Sequence, residues 1–131
     1  ENHLTRSEAS KAWTLWEMST SRLIPSKEYI EKAGDDKFSS AFARIECHYF
    51  INKGFFKSDG WILKNINKIK NMPNVIIQGR YDVVCPMKSA WELHKEWEGS
   101  NLIIVNDAGH SMLEEGIQKK LIEYTDKFVK Y

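Results

Sequence analysis

Cysteine is scarce. The 131 residues hold two, Cys47 and Cys85, too few for a disulfide framework and with no metal-binding spacing. A reduced, cytoplasmic setting is the expectation. An excess of one charge is also missing: Lys plus Arg number 19 and Asp plus Glu 18, for a net charge of +1. That balance leaves no electrostatic footprint for nucleic acid or a membrane surface. The longest apolar runs are about five residues, against the roughly twenty that cross a bilayer. The opening Glu1-Asn2-His3-Leu4-Thr5 lacks the basic and apolar stretches of a signal peptide. It also lacks methionine, so a fragment or processed chain is expected. No Gly-rich phosphate loop occurs, and His3, His48 and His94 share no metal-ligand spacing. Neither a metal nor a cofactor is expected.

What is present is an ordinary globular composition, 42% hydrophobic and 28% charged, in a length that suits one core. Aromatic residues make up 12%, with five tryptophans. Trp13, Trp16, Trp61 and Trp91 fall in helical patterns. Core packing is the expected role; the alternative is a ring-lined pocket for a ligand with an apolar body.

The chain divides near residues 66–74. Upstream, helical patterns dominate. Thr5-Arg6-Ser7-Glu8 reads as a capping box that opens a helix, carrying Ala9, Ala12, Trp13 and Trp16 and ending before Pro25. Gly34-Asp35-Asp36 reads as a loop. Phe38, Phe42, Ile45 and Tyr49 then form an amphipathic stripe, with Gly54 as its stop. A short helix is expected over Trp61 to Ile69. Downstream, Val75-Ile76-Ile77 and Leu102-Ile103-Ile104-Val105 read as buried strands. Helices are expected over Met87–Trp97 and Ile117–Tyr131. The fold class is therefore α/β: a parallel β-α-β-α segment preceded by helices. Two parallel strands are too few to stand alone, so they read as part of a larger sheet.

In open α/β sheets the chemistry gathers beyond the carboxyl ends of the strands. Gln78-Gly79-Arg80-Tyr81-Asp82-Val83-Val84-Cys85-Pro86 follows the first strand, and Asn106-Asp107-Ala108-Gly109-His110-Ser111 follows the second. Neighbouring strands lie about 4.8 Å apart, which lets Asp82 reach His110. Such a pair fixes the tautomer of the imidazole and stabilises its protonated form during general-base catalysis.

These two runs resemble the acid and histidine elements of the α/β-hydrolase superfamily, and more narrowly those of the proline iminopeptidases. Ala12-Trp13-Thr14-Leu15-Trp16-Glu17 and Ala41-Phe42-Ala43-Arg44-Ile45-Glu46-Cys47-His48-Tyr49-Phe50 resemble that family's helical cap. The resemblance implies residues 1–68 as later cap helices and 69–131 as the C-terminal β-α-β-α of the hydrolase core. It implies Asp82 as triad acid, His110 as triad base, and Glu17 and Glu46 as cap carboxylates that bind the substrate's cationic imino group. The implied substrate is a peptide with an N-terminal proline. Each glutamate also lies four residues from an aromatic on its own helix: Glu17 from Trp13, Glu46 from Phe42 and Phe50.

The resemblance has one gap. No Gly-x-Ser-x-Gly elbow occurs, and Ser111 reads as a turn residue. The nucleophile and the oxyanion-hole donors are expected in a preceding part of the enzyme, and this chain alone is expected to be inactive. Two other readings stand beside the peptidase: a non-catalytic binding or assembly domain that self-associates through its sheet edge, and another α/β-hydrolase such as an esterase.

Overall fold

The computed structural model describes residues 2–129. They form two compact units. One comprises the residues up to Thr20 together with Ile24–Asp59; the other comprises Ser21–Leu23 and the residues from Gly60 onward.

The first unit is helical. Helix α1 spans His3–Thr20, α2 Lys27–Glu31 and α3 Asp36–Ile51. The start of α1 differs from the capping-box expectation. Asn2 lies just ahead of the helix and its side-chain oxygen accepts the Leu4 N–H at 3.1 Å. This capping set the start three residues early and left Thr5 and Ser7 inside the helix. The Gly34-Asp35-Asp36 segment ends in a true cap, with Asp35 Oδ1 accepting the Phe38 N–H at 2.6 Å.

The aromatic stripe of α3 is not its buried face. Ser39 and Ala43 are the buried residues of α3, and Ser10, Thr14, Glu17 and Met18 are those of α1. The two helices pack together through small side chains, whose hydroxyls bond locally: Thr14 Oγ1 donates to Ser10 O at 2.8 Å, and Ser39 Oγ to Ala33 O at 2.7 Å. Small residues let backbones approach closely, which moves bulky rings to the flanks of the seam. Core packing therefore fails as a description of the tryptophans. Trp16 and Trp91 are more than half exposed, and Trp13, Trp61 and Trp97 are half-buried. Beyond α3 the chain turns through Lys53, Gly54 and Phe55, all at positive φ, a region that only Gly of the three enters without strain.

The second unit contains α4 (Trp61–Lys64), β1 (Val75–Gly79), α5 (Met87–Glu96), β2 (Asn101–Val105) and α6 (Glu115–Phe128). Tyr131, the expected end of the last helix, lies outside the described residues. The strands pair in parallel, from Val75 opposite Asn101 to Gly79 opposite Val105. The β-branched runs form these strands because their side chains fit a pleated, packed surface. Helices α5 and α6 both pack on the sheet. Val105, Ala108 and Ile117 form its core, with Ile77 and Leu121 against it. The expected full burial is not reached: Ile76, Ile77, Leu102 and Ile103 are half-buried and Ile104 is exposed. Two helices against two strands cover the apolar faces only in part.

Candidate active site

The register of β1 and β2 ends at the pair Gly79 and Val105, and the two following loops continue it. Arg80 N–H donates to Val105 O at 2.9 Å, and Tyr81 N–H to Ala108 O at 3.0 Å. This zipping carries the acid loop directly alongside the histidine loop.

Asp82 and His110 meet there. His110 Nδ1 lies 3.0 Å from Asp82 Oδ2. The Asp82 side chain is 6% exposed and that of His110 38%. A buried carboxylate must be compensated by donors, and Asp82 has several. Its Oδ1 accepts the N–H groups of Val84 at 3.0 Å and Cys85 at 2.8 Å. Its Oδ2 accepts from Gln78 Nε2 at 3.1 Å as well as facing the imidazole. The carboxylate thus accepts from Nδ1–H and leaves Nε2 as the acceptor nitrogen. No partner engages Nε2 among the described residues. That is the geometry of a general base awaiting a proton donor.

The histidine loop is held by groups that sequence reasoning missed. Glu114 Oε1 accepts the Gly109 N–H at 2.8 Å, and its Oε2 accepts the Leu23 N–H at 3.0 Å. The carbonyl of Ser21 accepts the N–H groups of both His110, at 3.0 Å, and Ser111, at 2.7 Å. Ser111 is buried in this turn, where its hydroxyl accepts the Leu113 N–H at 3.2 Å. Gln78 was equally missed, although it opens the run from Gln78 to Pro86. Its spacing of four from Asp82 across the strand end carries no recognisable pattern.

Glu17 and Glu46 lie on the facing helices α1 and α3. Glu46 Oε2 accepts the Trp13 indole N–H at 2.6 Å, a charge-assisted bond that orients the carboxylate. Trp13 also contacts Trp16 and Phe50, with ring centroids 5.9 and 6.1 Å away. It borders a groove of about 700 Å³ between α1 and α3. Glu17 is buried, 7% exposed, one helical turn after Trp13. Aromatic rings and a fixed carboxylate together suit a cation with an apolar body.

Other histidines have structural surroundings. His94 Nδ1 lies 2.7 Å from Ser100 Oγ, and His48 packs against Tyr49 and Phe55. Both cysteines are free and exposed. Among the described residues, no cluster of three or more His, Cys, Asp or Glu could hold a metal ion. No helix there is long and apolar enough to cross a membrane.

Residues 39–128 match the α/β-hydrolase family described as TAP-like protein. The chain belongs to the α/β-hydrolases. It is 60% identical over 124 residues to a probable proline iminopeptidase of Leptolyngbya boryana, covering 95% of this chain and 39% of the relative. It is 57% identical over 119 residues to a proline iminopeptidase of Arabidopsis thaliana, covering 91% and 31% respectively. A third relative, a proline iminopeptidase of Xylella fastidiosa, is 46% identical over 129 residues, with coverage of 98% and 41%. The chain spans about two fifths or less of the length of these relatives. In this α/β-hydrolase chain the parallel strand pair and its two helices are the partial hydrolase fold that the strand-end motifs led one to expect.

Proposed function

We propose that this chain carries the acid, the base and the amine-binding carboxylates of a proline iminopeptidase of the serine type. The observation behind the reading is the 3.0 Å contact of Asp82 with His110 at adjoining strand ends. The names of the relatives supply the substrate class.

In this reading Asp82 keeps His110 in the Nδ1–H form. Nε2 takes the hydroxyl proton of a serine as its oxygen bonds to the prolyl carbonyl carbon. The imidazolium then gives that proton to the leaving amine as the C–N bond breaks. Water repeats the cycle: it yields a proton to Nε2, its oxygen bonds to the acyl carbon, and the serine departs with the proton. The serine and the oxyanion-hole donors come from residues outside these 131, which contain no Gly-x-Ser-x-Gly elbow. Glu17 and Glu46 bind the cationic imino terminus, the feature that separates an exopeptidase from an esterase.

The test is hydrolysis of a chromogenic prolyl amide, compared with a simple ester, by the whole protein and by this chain alone. The reading requires the whole protein to prefer the amide and the isolated chain to stay at background. Ester preference in the whole protein would point to an esterase. Failure to cleave either substrate would point to a binding or assembly domain.

A further inference from the structure

Gln78 is the last residue with a side chain in β1, directly before Gly79, and sits opposite Ile104 in the ladder. Its Nε2 donates to Asp82 Oδ2 at 3.1 Å and to the Cys85 carbonyl at 3.0 Å. A carboxylate and a carbonyl can only accept, so the amide must turn its nitrogen toward them.

Asp82 needs this contact for a geometric reason. Its two backbone donors, Val84 and Cys85, both bind Oδ1. The terminal torsion of an aspartate is broad and turns both oxygens together about the Cβ–Cγ bond, so donors on both oxygens restrain it more tightly than donors on one. The oxygen that faces His110 is Oδ2, and Gln78 is the donor that holds it apart from the histidine itself. The Cys85 contact in turn stops the Gln78 amide from rotating. Strand, acid loop and carboxylate are thereby tied at one nitrogen.

We infer that Gln78 is a positioning residue: it fixes the second oxygen of Asp82 so that His110 is held in the Nδ1–H tautomer with Nε2 open as acceptor. The inference rests on reading Asp82 and His110 as acid and base. Gln78 touches neither the imidazole nor a substrate in this role, and acts through Asp82 alone.

The experiment uses the whole protein, labelled with ¹⁵N at histidine, in alkaline buffer. The His110 tautomer is read from its ring ¹⁵N shifts, and kcat and KM from a prolyl amide. Three variants are compared. Q78M keeps the length without a donor. Q78E keeps the shape and replaces the donor by an acceptor. Q78H keeps one N–H the same number of bonds from the backbone.

In Q78M and Q78E the His110 signal should move toward the Nε2–H form that a solvated histidine favours. Their kcat should fall about tenfold or more, the usual scale for losing a hydrogen bond to a charged group, with KM within about twofold. Q78H should restore both readouts. A wild-type tautomer in either donor-free variant overturns the inference, so if Q78M does not fold, the isosteric Q78E decides. An Nε2–H form already present in the unmutated protein would instead overturn the acid–base reading, and this inference with it.

Discussion

Gly79 and Gly109 approach so closely that a Cβ on Gly79 would stand 1.8 Å from the Gly109 carbonyl oxygen. The same Cβ would lie 2.8 Å from the Ala108 oxygen. Both obstacles are backbone, so no side-chain rotation relieves them. This contact sets the spacing of the acid and histidine loops. Gly79→Ala should therefore cost about 1–3 kcal/mol or more and pull Asp82 away from His110. Thermal unfolding together with the His110 tautomer would check this; an unchanged melting temperature would mean that the loops yield freely.

On the proposed reading, Asp82→Asn and His110→Ala in the whole protein should each lower turnover by about three orders of magnitude or more, as loss of triad members does in serine hydrolases. Asp82→Asn replaces an acceptor oxygen by a donor group and favours the wrong tautomer. Steady-state kinetics on a prolyl amide would measure both. Near-normal turnover in the two variants would remove the pair from the mechanism.

On the same reading, Glu17→Gln and Glu46→Gln should weaken recognition of a cationic terminus and spare the Asp82–His110 pair. Losing a hydrogen bond to a charged group costs about 1.5–3 kcal/mol, so kcat/KM for prolyl substrates should drop roughly tenfold to a hundredfold. An N-acylated prolyl substrate carries no such charge and should change much less. Equal losses on both substrates would make the carboxylates structural.

Strands β1 and β2 pair only with each other among the described residues, and Ile104 of β2 is 41% exposed. Each strand thus has an edge that no described strand pairs, and such edges recruit other chains. The isolated 131-residue chain should associate with itself, and light scattering over a concentration series should show mass rising with concentration. A constant 15.3 kDa species would show the strand pair to be self-sufficient.

On α6, hydrogen bonds from Lys120 and then Lys127 lower the Glu123 carboxyl from its ordinary 4.5 to about 2. A carboxylate depressed by folding stabilises the fold fully above its unfolded value and loses that contribution as pH falls toward the folded one. The pair is exposed and its effect small. Melting temperatures of the unmutated protein and of Glu123→Gln should therefore differ above about pH 4.5 and converge toward about pH 2. A difference that stays constant across that window would exclude the ion pair as its cause.

The strands and the long helices were legible because their signals are local. Val75-Ile76-Ile77 and Leu102-Ile103-Ile104-Val105 are β-branched or aliphatic runs between turn residues, and the helices after them keep one apolar stripe. The meeting of Asp82 and His110 was legible because both loops begin from neighbouring strand ends. The buried face of α3 was not legible, since hydrophobicity pointed to Phe38 and Ile45 while the contact uses Ser39 and Ala43. Glu114 was hidden for a different reason. Its hydrogen bond to Leu23 joins residues 91 positions apart, and no periodicity encodes such a pairing. Gln78 acts through a turn whose conformation exists only once the two strands are in register.

The small-residue seam between α1 and α3 has an energetic consequence. The Thr14 and Ser39 hydroxyls bond within their own segments, to Ser10 O and Ala33 O, so the strong polar ties between the helices lie at its flanks: Trp13 to Glu46 at 2.6 Å, and Ser7 and Lys11 to Asp36. Its apolar burial is also slight, resting on Met18, Ala33 and Ala43 in the helical unit. Little apolar contact therefore opposes a transient separation once those flanking bonds yield, and local opening free energies follow buried apolar contact. Backbone amides of α1 and α3 should exchange with deuterium sooner than those of β1 and β2, which would make the helical unit the part that breathes while the Asp82–His110 pair stays closed.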